Sequence, residues 1–506
     1  MESIDPRSRV PVDSGLNSAT VSDEAYLEAL GYRGELSRVL GRFSSFALQY
    51  STIGFSGALL VGFTIGLSQV GPASVWVWFV ASGLQVVVAM CVAELCSAYP
   101  LAGGAYQIVS RLRGRSLGWQ VGWWVQIAHV ASVSSATIGI TPFIMAWFGV
   151  DNLSHWELVG ISAILIIAST VANLLGVRIV AWLNNLSVVA ELSAAAVIVI
   201  GLAAAFLFNS KAHVNSVHYL FTTDGTVKGS VIMPLLFACL LSVYIVSAFD
   251  VSGTAGEETK DAARTVPRTA VAANATTWII GTLVLLFLVL GIGNLGDVLG
   301  AGNPVGDILK SNAGQTVATL FTVLAVFALW VNAVILQLAG ARVMWAQARD
   351  GRFPAARLFA RLNREKIPYA GVILGGVIAI AVTLYSSLFA VLIAMLAITW
   401  AGAFTVLLVV GYRAHSRDQL PGRPYRLKHW RILYPVAIVW SLLFCVVLIY
   451  QDPLHVGLGT LGAVVIGLVL YYVFVPKKDA PVGLAAQEPE RGSAAGSARD
   501  TLDPIS

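Results

Sequence analysis

Twelve runs of about 20 or more predominantly apolar residues follow one another along the sequence, and each is long enough to cross a bilayer. Inside hydrocarbon the backbone polar groups must be bonded within the segment, so such runs form α-helices. The first six are 46–67, 74–98, 117–148, 157–177, 182–208 and 231–250. The second six are 271–292, 317–344, 369–385, 389–412, 433–450 and 456–475. The sequence therefore predicts an all-α polytopic membrane protein with twelve transmembrane helices.

The composition excludes a soluble protein, because only 12% of the 506 residues are charged and 57% are hydrophobic. Soluble domains carry about 25% charged residues. The same figures exclude collagen, a disordered chain and a nucleic-acid-binding protein. The four cysteines lie in apolar segments without the spacing of metal ligands, so we expect no disulfide framework, metal site or cofactor.

The basic residues are divided unequally between the two faces that twelve spans define. Of the 32 lysine and arginine residues, all but Lys211, Lys228 and Lys310 fall in the termini and the even-numbered connections. Because positively charged segments stay in the cytoplasm, both termini are predicted to be cytoplasmic in a plasma membrane. The net charge of +5 thus indicates orientation and not an anionic partner.

The ends of the chain differ from the apolar core. Residues 1–43 contain no apolar run of a cleavable signal peptide and are predicted to be a cytoplasmic N-terminal segment. Residues 476–506 are rich in Ala, Gly, Ser, Pro and Glu, which predicts a disordered cytoplasmic tail. No function is assigned to this tail.

Two runs are interrupted by small and polar residues. The interruptions are Gly54-Phe55-Ser56-Gly57-Ala58 in the first run and Ser247-Ala248-Phe249-Asp250-Val251-Ser252-Gly253 in the sixth. These runs are in equivalent positions if the chain consists of two repeats of five spans, and such interrupted helices point to the midplane site of a transporter. Two other interpretations stay open: the glycines serve close helix packing, and Asp250 caps the next helical segment.

Four groups of motifs lie before or after predicted spans, on the predicted cytoplasmic side. They are Asp23-Glu24-Ala25-Tyr26-Leu27 with Leu30-Gly31-Tyr32-Arg33; Ala93-Glu94-Leu95-Cys96-Ser97-Ala98-Tyr99-Pro100 with Gly103-Gly104-Ala105-Tyr106; Glu257-Glu258-Thr259 with Pro267; and Ala348-Arg349-Asp350-Gly351-Arg352-Phe353-Pro354. In this order they resemble the amino acid–polyamine–organocation superfamily, and within it the amino acid/choline branch with GABA- and choline-permease-like proteins. The resemblance extends from about residue 20 to 475.

The resemblance implies a leucine-transporter-like fold within a transporter domain, 44–475. Two inverted five-helix repeats, 44–208 and 231–412, would be followed by two peripheral helices in 433–475. Substrate would bind between the broken first and sixth spans, flanked by the third, eighth and tenth. The family transports amino acids or related amines by proton symport or exchange. Many members have Gly-Ser-Gly at the first break, where this chain has Ser56-Gly57-Ala58.

Charge complementarity predicts which groups at the two breaks would hold a zwitterionic substrate. The amides of Ser56, Gly57 and Ala58 begin a half-helix, whose N-terminal end carries about half a positive charge and suits a carboxylate. At the second break, the carbonyls of Ser247 and Ala248 would be left free to accept hydrogen bonds from a substrate ammonium.

Further candidates lie beside these backbone groups. Asp250 would add negative charge toward the ammonium, and Phe249 is a candidate gate, with ordinary core packing as the alternative. The flanking spans contribute Gln126 and His129 on the third, Asn332 on the eighth and Trp400 on the tenth.

Glu191 and His129 are the candidates for proton coupling, together with Asp250. An ionisable group inside a membrane is a functional candidate by default, and a histidine titrates near neutral pH. A purely structural hydrogen bond is the alternative for each. Proton coupling is favoured over sodium coupling, because the inner half of the eighth span offers Asn332 where a sodium site would use hydroxyls.

The cytoplasmic motifs predict a gate of ion pairs that form in the outward-open state and part in the inward-open state. Its acids are Glu94, Glu257, Glu258 and Asp350, and its bases are Arg42, Lys260, Arg264, Arg349 and Arg352. The alternative is that these residues only hold helix ends against lipid headgroups.

The sequence thus predicts a secondary active transporter that imports an amino acid or related amine such as GABA. Its expected partners are this small molecule and membrane lipid, and not nucleic acid. An exchanger, a choline or polyamine transporter, and a non-transporting nutrient sensor stay open as alternatives. An intramembrane enzyme is not expected, since the spans contain no His-x-x-x-His pair and one isolated histidine, His129. Nothing in the sequence indicates an oligomeric state.

Overall fold

The computed structural model describes residues 23–32, 34–150, 153–385 and 389–475. Within them the regular secondary structure is helical, apart from an isolated bridge between Leu40 and Thr259. The predicted tail, 476–506, and the first 22 residues of the predicted N-terminal segment lie outside the described residues.

Twenty α-helices are assigned in these described residues. In the first half they are α1 (Asp23–Ala29), α2 (Arg42–Ile53), α3 (Phe55–Val70), α4 (Ser74–Ala98), α5 (Ala105–Arg113), α6 (Arg115–Ala146), α7 (His155–Leu174), α8 (Val177–Phe208), α9 (Ile232–Ala238) and α10 (Leu240–Ile245). In the second half they are α11 (Val251–Thr254), α12 (Ala262–Leu290), α13 (Leu295–Gly300), α14 (Pro304–Ala313), α15 (Gln315–Arg349), α16 (Ala356–Phe359), α17 (Tyr369–Thr383), α18 (Phe389–Ser416), α19 (Trp430–Gln451) and α20 (Leu458–Phe474).

Nine helical stretches of the described chain are long and apolar enough to cross a membrane. One of them, Arg42–Ala98, contains both the first and the second predicted span. The predicted sixth and ninth spans coincide with shorter apolar helices, Ile232–Ile245 and Tyr369–Thr383. The chain is therefore a polytopic helical membrane protein, as predicted, while the count of twelve crossings stays a prediction.

The first span is divided at Gly54, the first residue of the predicted interruption. Gly54 has φ 57° and ψ 42°, the left-handed conformation that glycine adopts without steric cost. Its N–H closes α2 on the carbonyl of Tyr50, and α3 begins at the next residue. Gly57, by contrast, lies inside α3, where a Cβ would meet the side chain of Leu329. Gly57 therefore serves close packing, which was the alternative interpretation.

The sixth span is divided more extensively than the first. After α10 ends at Ile245, residues 246–250 run without regular helix before the single turn of α11. This interruption begins one residue before the predicted motif, and it is longer than the one-residue break in the first span. Both breaks lie against α15, the longest helix, which also packs on α6 and α8.

The helix α15 extends five residues beyond its predicted end and reaches Arg349. Arg342 lies inside this helix and is buried, like Arg349. Each of these two arginines is paired with a carboxylate, and that pairing is what allows a charged side chain inside the packed protein.

Candidate functional site

A cavity lies between the two breaks, and we call it the central cavity. It is lined from α2, α3, α6, α10, α15 and α18 and from the interrupted segment after α10. Five of the predicted site residues line it: Ala58, Ser247, Ala248, Asn332 and Trp400. Its other polar lining consists of Thr52, Ser132, Ser135 and Tyr244. None of the described residues that line it carries a charged side chain.

Asn332 holds the first break in place. Its amide nitrogen donates hydrogen bonds to the carbonyls of Ser51 (2.9 Å) and Thr52 (2.6 Å) at the end of α2. These carbonyls have lost their helical partners, since the helix stops at Ile53. A Cβ on Gly54 would come within 2.9 Å of the same amide nitrogen. The left-handed glycine and the asparagine therefore form one structural unit.

The carboxylate of Glu191, on α8, lies at the start of α3. Glu191 was a predicted candidate for proton coupling, but this contact with the first break was not predicted. The Ser56 N–H donates to the Glu191 carboxylate at 2.7 Å, and the Ser56 hydroxyl donates to the Glu191 carbonyl at 3.2 Å. Ser56 and Gly57 do not line the central cavity, whereas Ala58 does. The prediction that the Ser56 amide is free for a substrate is therefore wrong in this conformation, because an internal carboxylate takes it.

The carbonyls at the second break are also already bonded. The side-chain amide of Gln49 donates to the Ala248 carbonyl at 2.8 Å, and that of Gln85 donates to the Val246 carbonyl at 2.8 Å. The Ser247 carbonyl accepts from the Phe249 N–H at 3.0 Å. The expectation of free carbonyls at Ser247 and Ala248 is therefore corrected. Sequence reasoning missed both glutamines, although a buried glutamine inside an apolar span was a usable signal.

Asp250 points away from the central cavity. It is fully buried, and one of its carboxylate oxygens accepts from the Ala105 N–H at 3.3 Å, at the start of α5. Its side chain makes no capping bond to α11, so it does not cap its own following turn. Gly104 comes close enough that a Cβ there would be 2.9 Å from Asp250. The predicted contact of Asp250 with a substrate ammonium stays a prediction, while in this conformation the carboxylate connects the sixth span to the start of α5.

An aromatic cluster closes one side of the central cavity. Trp400 stacks on Phe404 with ring centroids 5.2 Å apart, and Phe249 meets Phe404 edge-on at 5.1 Å. A second cavity lies behind this cluster; Ser247 and Trp400 line both cavities, while Phe249 lines only the second. Phe249 therefore packs in the aromatic cluster beside the central cavity, and its gating role stays a prediction.

His129 and Gln126 lie outside the lining of the central cavity. The His129 ring donates from Nδ1 to the Val125 carbonyl at 2.7 Å and meets Trp400 edge-on at 5.0 Å. Gln126 donates to Gln347 of α15. Both side chains therefore contact protein neighbours rather than the cavity, and their direct contact with a substrate stays a prediction.

Two buried ion pairs join the segment after the sixth span to the end of α15. Glu257 accepts two hydrogen bonds from Arg349, both of 3.0 Å, and Glu258 accepts two from Arg342, of 2.6 and 2.7 Å. Glu257 also accepts from the Ala102 N–H at 3.0 Å. The connection after α4, the segment after α11 and the end of α15 are thereby joined on the predicted cytoplasmic side.

Glu94 belongs to a different group of contacts from the one predicted. Its carboxylate accepts from Arg423 at 2.9 and 3.1 Å, from the Leu427 N–H at 3.1 Å and from the Tyr434 hydroxyl at 3.2 Å. These partners belong to the connection between α18 and α19 and to α19 itself. Glu94 therefore fixes α4 to the C-terminal helices, and sequence reasoning missed Arg423.

Tyr32 of the N-terminal segment packs against Arg349 and Asp350 at the end of α15. The Tyr32 hydroxyl donates to Asp350 at 2.9 Å, and the Arg349 guanidinium lies 4.1 Å from the centre of its ring. Burial, followed by the charge of Asp350, raises the pKa of Tyr32, so its hydroxyl stays a proton donor. Tyr32 thus holds the described part of the N-terminal segment beside the pair of Glu257 with Arg349.

The comparison with known proteins agrees with this architecture. A family model described as amino acid permease matches residues 40–475, which is most of the chain. The chain belongs to this amino acid permease family. The permease is therefore a multi-pass membrane transport protein rather than an enzyme, and its substrate is a small molecule.

Amino-acid permeases of fungi and plants are similar to this chain over most of their length. An uncharacterized amino-acid permease of Schizosaccharomyces pombe is 25% identical over 495 residues, covering 92% of this permease and 88% of the relative. Amino-acid permease 2 of Neurospora crassa is 27% identical over 382 residues, covering 72% and 70%. Amino-acid permease BAT1 of Arabidopsis thaliana is 24% identical over 453 residues, covering 83% and 86%.

Proposed function

We propose that the permease is a secondary active transporter that imports an amino acid or a related amine, such as GABA, across the plasma membrane. The observation that carries this proposal is the central cavity between two interrupted helices, because freed backbone at membrane depth is tolerated where it borders a cavity or is buried in protein. Twelve crossings, two inverted five-helix repeats and cytoplasmic termini complete the proposed architecture. The one-sided distribution of lysine and arginine supports this orientation.

Access to the central cavity would alternate between the two sides of the membrane. The pairs of Glu257 with Arg349 and of Glu258 with Arg342 keep the proposed cytoplasmic side closed in this conformation. Inward opening would require both pairs to separate, since they join the segment after the sixth span to α15. The N-terminal segment around Tyr32 would have to move with them.

Proton coupling fits the first break better than sodium coupling does. A sodium ion between α2 and α15 would need backbone carbonyls of the kind that Ser51 and Thr52 provide. The Asn332 amide already donates to both carbonyls, so the space between these helices is filled by a neutral donor. Two buried carboxylates, Glu191 and Asp250, are the groups that could carry a proton, since each has one oxygen without a partner among the described residues.

The experiment that tests this proposal is uptake of labelled compounds into proteoliposomes. The panel comprises neutral amino acids, GABA, choline and a polyamine, each with and without an imposed pH gradient. We expect uptake of at least one compound, accelerated when the outside is acidic. Uptake that needs an internal counter-substrate and ignores the gradient would identify an exchanger. Binding without any uptake would identify a sensor and contradict transport.

A further inference from the structure

The second cavity adjoins the central cavity at the interrupted segment of the sixth span. It is lined from α4, α10, α18 and α19 and from the segment after α10. Ser247 and Trp400 line both cavities, so these two side chains form a wall that the cavities share. A group that extends from the central cavity past this wall would therefore enter the second cavity.

The walls of the second cavity are mainly aromatic and aliphatic. Trp440 meets Phe444 edge-on with ring centroids 4.6 Å apart, and both rings line the cavity. The cluster of Phe249, Trp400 and Phe404 supplies further aromatic surface. The aliphatic lining consists of Val243, Ala397 and Ala401. Burial of an apolar group against such a surface is favourable, because it removes apolar area from water.

The polar groups of the second cavity are mostly bonded to the protein itself. The side-chain amide of Gln85 donates to the Val246 carbonyl at 2.8 Å, and its oxygen accepts from the Trp440 ring N–H at 3.2 Å. The Ser247 hydroxyl donates to the Tyr244 carbonyl at 3.4 Å. None of the described residues that line this cavity carries a charged side chain. A charged group brought there would lose its hydration without meeting an opposite charge, which is costly.

We infer that the second cavity is the subsite for the substrate's side chain, and that the permease takes neutral amino acids with a long apolar side chain. The amino and carboxylate groups would stay in the central cavity, while the side chain would pass Ser247 and Trp400 into the second. This inference rests on the proposed transport function and narrows its substrate class. Phe249, Trp440 and Phe444 are the specificity-determining residues of this subsite.

Amino acids whose side chains lengthen by one methylene at a time test this inference by binding. The series is L-alanine, L-2-aminobutyrate, L-norvaline and L-norleucine, measured by titration calorimetry on the purified full-length permease in nanodiscs. Each buried methylene strengthens binding about fourfold, so we expect L-norleucine to bind at least tenfold more tightly than L-alanine. L-lysine, which carries an ammonium on the same four-carbon side chain, should bind more weakly than L-norleucine.

The variant Ser441→Met fills the second cavity from α19, and Ser441 does not line the central cavity. We expect its preference for L-norleucine over L-alanine to fall to threefold or less. Ala401→Leu fills the same cavity from α18 and should act alike, so the test does not depend on the folding of one variant. Val439→Met is the matched control on α19, because the Val439 side chain is 66% exposed and should leave the preference unchanged.

The outcomes separate the inference from the proposed function. Equal or weaker binding of L-norleucine than of L-alanine would overturn the inference and leave transport of amino acids intact. Tighter binding of L-lysine than of L-norleucine would overturn the neutral, apolar character of the subsite. An undiminished preference in the folded filled variants would show that the side chain does not enter the second cavity. If neither this series nor GABA, choline or a polyamine binds, the proposed function itself fails.

Discussion

Single polar side chains satisfy most of the backbone groups that the two breaks release. Asn332 bonds two carbonyls of α2, and Glu191 bonds the Ser56 amide of α3. Gln49 and Gln85 bond carbonyls of the sixth span. Polar and charged side chains are rare in apolar spans, and for this reason Asn332, Glu191 and Asp250 could be identified as candidates from the sequence. Their partners could not be predicted, because each bond joins helices that are far apart in the chain.

Asp250 is the residue for which the structure changes the expectation most. Its carboxylate accepts a hydrogen bond from the Ala105 N–H, and an asparagine oxygen can accept the same bond. We therefore predict that Asp250→Asn retains the fold, whereas Asp250→Ala leaves a buried donor unpaired and costs about 1–3 kcal/mol. Thermal unfolding of both variants in nanodiscs measures the difference.

The comparison also separates two roles for the Asp250 charge. Equal destabilisation by Asp250→Asn and Asp250→Ala would show that the negative charge, and not the acceptor oxygen, supports the start of α5. Loss of the response to a pH gradient in stable Asp250→Asn would favour a proton-carrying role.

At the level of helices, the sequence located both breaks within a few residues but not their form. Two glycines three residues apart, Gly54 and Gly57, look alike in the sequence. The structure distinguishes them, because Gly54 adopts φ 57° whereas Gly57 allows the close approach of Leu329. That distinction depends on the neighbouring α15 and was therefore not available from the first span alone.

Gly54→Ala should disturb the first break more than an ordinary glycine replacement does. The left-handed conformation costs alanine about 1 kcal/mol, and the new Cβ would also press on the Asn332 amide. We predict lower thermal stability and uptake reduced at least tenfold. Gly225→Ala is the matched control, since Gly225 has φ 75° and nothing within 4 Å of a Cβ. An equal effect of both replacements would mean that the contact with Asn332 is unimportant.

At the level of the whole molecule, the polytopic helical class was predicted well, because the length of an apolar run is a property of the sequence itself. The pairing of charges was predicted less well. Glu257 and Arg349 were recognised as candidates and do form a pair, whereas Glu94 bonds Arg423 instead of a predicted base. Motifs indicate that a charge is needed, while the fold determines its partner.

Exchange of the buried charges tests whether the Glu257–Arg349 pair belongs to the cytoplasmic gate. Removal of one partner from a buried pair costs about 3–5 kcal/mol, so Glu257→Arg and Arg349→Glu should each abolish uptake. The double variant restores opposite charges, and we predict partial recovery of uptake. The readout is initial uptake rate at equal protein content. Failure of the double variant to recover, despite native stability, would argue against an electrostatic gate.

The central claim is that substrate passes through the central cavity between the broken helices. Its most direct test is uptake of the compound panel by proteoliposomes containing wild type or Ser132→Met, a replacement that fills part of the cavity lining. Leu320→Met on the exposed face of α15 is the control. The account predicts that wild type and Leu320→Met accumulate at least one amine or amino acid and that Ser132→Met, folded and membrane-inserted, does not. Equal accumulation of that compound by Ser132→Met would contradict it.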